Sequence, residues 1–174
     1  MIRPPTAADE PALLALNNAH ARELSELTAA GLAALLAGAF RARVADEAAA
    51  LLVALDQDAR YDSPNFLWFR ARFPRFVYVD RVVVAPAARG RGLARMLYDD
   101  LMGAARDAGH RMVCCEVNSD PPNPASDAFH AALGFAEAGR AHLAERGKSV
   151  RYLTRELACE AGARDQFEAG IATS

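Results

Sequence analysis

The stretch Arg89-Gly90-Arg91-Gly92-Leu93-Ala94 decides the architecture of this chain. It follows a strand-like apolar run at 76–85 and a short turn at 86–88, and it opens a segment with apolar residues three and four positions apart, as in a helix. A helix start after two glycines gathers unpaired N–H groups and the positive end of the helix dipole. The pattern therefore predicts an anion site, most simply for a phosphate or pyrophosphate, with added positive charge from Arg89 and Arg91.

Three phosphate-binding patterns compete for this loop. A Walker loop requires a lysine followed by a hydroxyl residue, and both are absent here. A dinucleotide fingerprint fits Gly90 and Gly92, but Arg95 stands where its third glycine belongs and the loop lies in mid-chain. The third pattern, R-x-x-G-x-A after a V-x-P strand end, resembles the pyrophosphate-binding motif of the GNAT superfamily of N-acetyltransferases. This resemblance implies that Arg89, Gly90, Arg91, Gly92, Leu93 and Ala94 bind acetyl-CoA.

Length and composition indicate one globular domain. The chain has 174 residues, of which 52% are hydrophobic, and a formal net charge of -2. This charge gives no support for a nucleic-acid partner or an anionic membrane, and the longest apolar run is too short to span a bilayer. Three cysteines and no signal-peptide pattern lead us to expect a reduced, cytoplasmic protein. Since the four histidines are scattered, we expect no metal site.

The first half of the chain carries a weaker signal. We expect a short strand at 2–4, a helix after Thr6, one or two helices at 24–36 interrupted by Gly31, and strands at 41–46 and 49–55, although the alanine content also permits helix there. Residues 57–74 form a long aromatic-rich connection that either pads the core or forms a wall of an acceptor pocket. Three arginines of this region could meet a carboxylate on the acceptor or simply be solvated: Arg70, Arg72 and Arg75.

Two β-branched runs at 76–84 and 111–118 flank the predicted helix and should form parallel neighbours in the sheet. Asp80 interrupts the first run, so it either pairs with a cation or accepts a proton. Glu116 lies at the carboxyl end of the second run, where ligands of α/β sheets bind. The segment Cys115-Glu116-Val117 resembles one that carries the base in ribosomal-protein N-terminal acetyltransferases, which implies that Glu116 is the base. Asp80 is the second candidate.

A second signature follows. The string from Asn123 to Phe135 resembles the GNAT pattern N-x-x-A-x-x-[L/F]-Y-x-x-L-G-F, whose helix lies along the cofactor. The resemblance implies cofactor contacts from four residues: Asn123, Ser126, Phe129 and His130. His130 replaces the tyrosine that protonates the leaving thiolate in the family. It could supply that proton, hydrogen-bond the cofactor, or lie on the helix surface without a role.

The resemblance implies an α/β (α+β) fold with a mixed sheet of six or seven strands, a splayed central parallel pair and helices on both faces. It further implies one acetyl-CoA-dependent N-acetyltransferase domain at 1–157, with a closing strand pair at 135–141 and 148–157 and a tail at 158–174. A primary amine, on a small molecule or a peptide N-terminus, would attack directly, with an oxyanion donor from the strand that contains Val82, Val83 and Val84. A non-catalytic acyl-CoA-binding module is the alternative, and a homodimer is compatible with either.

Overall fold

A mixed seven-stranded sheet forms the centre of the computed structural model, which describes residues 1–158. Within these residues the strand order is β1-β2-β3-β4-β5-β7-β6, and only β4 and β5 run parallel. The strands are β1 Ile2–Arg3, β2 Arg41–Ala45, β3 Ala50–Asp56, β4 Val77–Val84, β5 Met112–Asp120, β6 Ala136–Leu143 and β7 Lys148–Glu156. The predicted α/β fold is confirmed. The strands in the alanine-rich region also form as expected, because β3 is buried along almost its whole length.

Helices cover both faces of the sheet, as predicted. They are α1 Glu10–Asn18, α2 Ala21–Leu24, α3 Ala29–Ala37, α4 Pro64–Arg70, α5 Leu93–Asp107 and α6 Pro124–Ala132. One core lies under α5, with Leu97, Leu101 and Phe135 among its residues. The other lies under α1, α3 and α4, with Leu13 and Phe66 among its residues. The two cores lie on opposite faces of the sheet.

The parallel pair separates soon after it begins. Backbone pairing between β4 and β5 covers only Val77 with Val113 and Tyr78 with Cys114. A bulge in β4 lies next to this point, because Val53 pairs with Arg81 and Ala54 with Val79, which leaves Asp80 without a partner on β3. The bulge bends β4 away from β5 and opens a cleft between their carboxyl ends. The splayed pair is thus confirmed.

One local prediction was wrong, and one helix was not predicted. Gly31 does not interrupt a helix, because α3 runs through it and the Thr28 hydroxyl caps α3 by accepting a 3.0 Å hydrogen bond from Gly31 N–H. The connection at 57–74 is not simply a loop, since it contains α4, which begins at Pro64 and buries Phe66 and Phe69. Proline fits the first turn of a helix, so Ser63-Pro64 was the available signal. The tail prediction for 158–174 lies, except for Ala158, outside the described residues.

Candidate active site

The glycine-containing loop adopts the conformation that its sequence predicted. Gly90 and Gly92 both have a φ of +75°, a region that side chains with a Cβ avoid. No backbone carbonyl among the described residues accepts a hydrogen bond from the N–H groups of residues 90–95, and Met96 N–H makes the first bond, to Gly92 O. A Cβ added at either glycine would meet no atom within 4 Å. The N–H groups at the start of α5 are therefore open to a ligand.

The two arginines of the loop have different surroundings. Arg91 forms an ion pair of 2.5 Å with Asp46, and 58% of the Arg91 side chain is exposed to solvent. Arg89 instead contacts a neutral partner, with its Nη2 3.1 Å from Nε2 of His20. The other nitrogen of His20 lies 3.0 Å from Leu16 O and must donate to it, so Nε2 accepts from Arg89. Arg89 therefore keeps its positive charge for an anion.

Glu116 lies in the cleft between the splayed strands. Its Oε1 accepts a 2.8 Å hydrogen bond from Asn65 of α4, and its Oε2 accepts one of 2.7 Å from the Tyr78 hydroxyl. The Tyr152 hydroxyl holds Asn65 in turn, at 3.1 Å. Burial raises the pKa of Glu116 to about 7, against the opposing effect of the hydrogen bonds from Tyr78 and Asn65. A carboxylate with this pKa exchanges protons near neutral pH.

Asp80 also borders the cleft, but its carboxylate already has close partners. Oδ2 pairs with Arg81 at 2.7 Å, and Oδ1 accepts a 2.7 Å hydrogen bond from the Tyr61 hydroxyl. Arg81 is almost fully buried and donates a further 2.6 Å bond to Asn17 of α1. Asp80 thus has the cation partner that the sequence offered as one of two explanations.

His130 is not a surface residue, since only 2% of it is exposed. Its Nδ1 lies 2.8 Å from Ser126 O and must donate to this carbonyl, which leaves Nε2 to accept the 2.8 Å hydrogen bond from the Tyr98 hydroxyl. Burial lowers the pKa of His130, so the ring is neutral at physiological pH. In this arrangement neither nitrogen of His130 has a proton to give to the cleft. Tyr98 of α5 borders the cleft beside it.

The open edge of β4 presents backbone donors to the cleft. Ala85 N–H donates to Ala49 O on the β3 side. Because directions alternate along a strand, Val83 N–H also points toward β3, whereas the N–H groups of Val82 and Val84 point toward the gap. Val82 lines the cleft. The Val83 side chain is buried in the core on the α1, α3 and α4 side.

The structure brings together some of the predicted residues and separates others. The predicted residues that line the cleft are Asp80, Val82, Glu116, Asn123, Ser126 and His130. Phe129 packs edge-to-face against Tyr98 instead. The three arginines do not line the cleft: Arg70 lies over Phe66, Arg72 over Trp68, and Arg75 donates to Ala108 O.

Sequence analysis missed several residues of the site. Asn65, Tyr78 and Tyr152 lie in the hydrogen-bond network around Glu116. Three further missed residues line the cleft: Tyr98 beside His130, Arg146 in the turn between β6 and β7, and Lys148 at the start of β7. None of these residues belongs to a recognised motif. The aromatic content of 57–74 was the one sequence feature that indicated a contribution of this connection to the site. Among residues 1–158, no group of three potential metal ligands occurs, and no helix is long and apolar enough to cross a membrane.

Comparisons with known proteins agree with this geometry. The model of the acetyltransferase (GNAT) family matches residues 30–135. Among solved structures, a ribosomal-protein-alanine N-acetyltransferase from Brucella melitensis is similar at 24% identity and a TM-score of 0.67, with 90% of this chain and 99% of that chain covered. Ard1 from Thermoplasma volcanium gives 15% identity and a TM-score of 0.71, with 91% and 97% covered.

A third structure contains a ligand. A Salmonella typhimurium protein, yncA, provisionally named an acetyltransferase and solved with its cofactor acetyl-CoA, gives 22% identity and a TM-score of 0.63, with 93% of this chain and 96% of that chain covered. At these identities the structural likeness shows the fold alone. A sequence comparison with curated proteins finds no significant match.

Proposed function

The chain belongs to the acetyltransferase (GNAT) family, and we propose on that premise that it moves the acetyl group of acetyl-CoA to a primary amine, with Glu116 as the base. The observation that supports this role most directly is the pKa of about 7 at a carboxylate that lines the cleft between β4 and β5. A general base works best when its pKa lies near the working pH. Asp80 is the second candidate, but its charge is already engaged by Arg81.

The residues around the cleft fit acetyl-CoA as a co-substrate. The N–H groups of residues 90–94, together with Arg89, would hold its pyrophosphate. Asn123, which caps α6, and Ser126, in the first turn of α6, line the cleft, where they would border the pantetheine arm. Binding at this distant loop would position the thioester between the splayed strands, and so convert binding energy into orientation of the reacting atoms.

The chemistry requires three events at named groups. Glu116 takes a proton from the attacking amine, whose nitrogen then bonds to the thioester carbonyl carbon. Val82 N–H, directed at the gap, stabilises the negative charge that develops on the carbonyl oxygen. The carbon–sulfur bond then breaks, and the thiolate takes its proton from water, because the Tyr98 O–H is already donated to Nε2 of His130. In this proposal His130 does not donate the proton itself but orients the Tyr98 hydroxyl.

A screen of primary amines with acetyl-CoA, followed by thiol release, tests this proposal. In Glu116→Gln we expect turnover to fall by about 10²- to 10⁴-fold, the usual contribution of a general base. The rise in melting temperature on addition of CoA should persist in this variant, because Glu116 does not hold the pyrophosphate.

Asp80→Asn serves as the comparison variant. A normal rate in Glu116→Gln with a large loss in Asp80→Asn would move the base to Asp80. If no amine is acetylated while CoA still raises the melting temperature, the chain is a non-catalytic acyl-CoA-binding module. If CoA has no effect on the melting temperature, the assignment of the loop is wrong.

A further inference from the structure

Two cations border the cleft without an acidic partner. Arg146 lies in the turn between β6 and β7, Lys148 is the first residue of β7, and both line the same cleft as Glu116. Within residues 1–158, no carboxylate lies within 4 Å of either side chain. The remaining cation of the cleft, Arg81, is already paired with Asp80. This wall of the cleft therefore carries two cations without a carboxylate in direct contact, while Glu23 lines the cleft from α2.

Lys148 faces the same side of the sheet as Glu116. Glu116 pairs directly with Tyr152, and Lys148 lies four residues before Tyr152 on the same strand, so all three side chains project to one face. Lys148 is half-buried, and this burial lowers its pKa. The negative charges of Glu116 and of Glu23 on α2 raise the pKa of Lys148, whereas the positive charge of Arg146 lowers it. Because both cations line one cleft, their charges would attract an anionic group of a molecule bound there.

The anionic group that these two cations would attract is not the pyrophosphate of the co-substrate. Leu93, at the start of α5, is buried in the core under α5, on one side of the sheet. Tyr152, which shares its face with Lys148, is buried in the core on the other side, with the aromatic residues of α4. Lys148 therefore shares the face of Glu116, on the side of the sheet opposite to the start of α5.

We infer that the acceptor is an amine that also carries an anionic group, in the simplest case a carboxylate, held by Lys148 and Arg146 while its amine lies at Glu116. This inference rests on the proposed acetyl transfer. It favours amino acids and acidic peptides and disfavours polyamines and aminoglycosides, because a second ammonium group would face two cations.

Matched acceptors test the inference. We would compare kcat/KM for ω-amino acids from glycine to 6-aminohexanoic acid with that for the corresponding amides, and add 1,4-diaminobutane and 2-aminoethylphosphonate. Conversion of the carboxylate to an amide lowers the pKa of the amine and so raises the fraction of reactive neutral amine. Amine reactivity alone would therefore favour the amide, so a preference for the acid indicates recognition of its anionic group. We expect at least one chain length to favour the acid by tenfold or more. A phosphonate as good as the acid would mean that charge rather than carboxylate shape is recognised, which still supports the inference.

Lys148→Glu should reverse the preference, so that 1,4-diaminobutane becomes better than the acid. Arg155→Glu, on the same strand but outside the cleft, should leave the ratio of acid to amide unchanged. The KM for acetyl-CoA and the melting temperature with CoA show whether each variant is folded. A ratio of acid to amide near one at every chain length, or a preference for the acid that survives in Lys148→Glu, overturns the inference and leaves the proposed acetyl transfer intact. If no amine releases thiol, the proposed acetyl transfer fails first.

Discussion

The side-chain amide of Asn65 donates a 2.8 Å hydrogen bond to Oε1 of Glu116, across 51 positions of sequence. Asn65 lies on α4 and Glu116 on β5, and the Tyr152 hydroxyl fixes the orientation of the amide from β7. Donors from α4 and β4 thus meet at a carboxylate on β5, and β7 orients one of them. The hydrogen bond favours the ionised form of Glu116 and partly offsets the effect of burial on its pKa.

Removal of this bond should therefore shift the pH dependence of the reaction. In Asn65→Leu the ionised form of Glu116 loses a donor, so its pKa should rise from about 7 by about 1 unit, the equivalent of one hydrogen bond to a charged group. Since the base acts when deprotonated, the rising limb of kcat/KM should move to higher pH. Tyr78→Phe should shift it in the same direction, and Tyr152→Phe less. A profile that stays in place would contradict the role of Glu116 as the titrating base.

Arg89 should determine the affinity for CoA. Arg89→Glu places a negative charge beside the predicted pyrophosphate position, and we expect the dissociation constant measured by calorimetry to rise by tenfold or more. Arg106→Glu, in the last turn of the same helix α5, is the control and should bind CoA as the unmodified protein does. Equal affinity in the two variants would show that the loop does not bind the anion.

The role of Gly90 in CoA binding can be measured apart from its effect on stability, because a Cβ added at Gly90 would meet no atom of the protein within 4 Å. Gly90→Ala and Gly109→Ala both place a Cβ at a positive φ, of +75° and +77° respectively, so each should cost about 1–2 kcal/mol of stability. Only Gly90→Ala should also weaken CoA binding, because its Cβ would lie between the ligand and the backbone N–H groups. Thermal unfolding with and without CoA measures both effects. A similar CoA response in the two variants would argue against close approach at Gly90.

The Tyr98–His130 hydrogen bond should stabilise the fold. Tyr98→Phe leaves the buried Nε2 of His130 without a donor, and we expect a loss of about 1–3 kcal/mol in urea unfolding at pH 8. A double-mutant cycle with His130→Leu isolates the pair, since the second substitution removes the orphaned acceptor. Additive effects of the two substitutions would show that the bond contributes nothing.

The packing of Trp68 over Gly139 holds α4 against the sheet. A Cβ at Gly139 would lie 2.5 Å from Cζ2 of Trp68, whose ring stacks on Tyr152 with centroids 4.1 Å apart. Gly139→Ala should therefore destabilise the protein by about 1–3 kcal/mol in chemical unfolding. Gly103→Ala provides the matched control, because it lies inside α5 with no atom within 4 Å of an added Cβ, and should stabilise by about 0.5–1 kcal/mol. Unchanged stability in Gly139→Ala would mean that α4 shifts freely.

The amino-acid sequence by itself determined the elements whose signals are local. The glycines at 90 and 92, the β-branched runs on either side of α5, and the asparagine and proline that begin α6 each act within a few residues, so the parallel pair and the helix between them follow from pattern alone. Glu116 could be selected because the sequence placed it at the carboxyl end of a strand, where ligands of α/β sheets bind. In the structure β5 continues to Asp120, and Glu116 lies just beyond the part of β5 that pairs with β4.

Tertiary structure alone decided how the candidate groups are paired. Asn65 and Tyr78 meet Glu116, Tyr98 meets His130, and Asp46 meets Arg91. Each of these contacts joins residues far apart in sequence, and the pKa of a group depends on such neighbours and on burial rather than on the residues next to it in the chain. The same reason explains why Lys148 and Arg146 emerged only when β7 was placed beside β5. Local pattern specifies which groups are present, whereas packing sets the charge and the hydrogen-bond direction that each presents to a ligand.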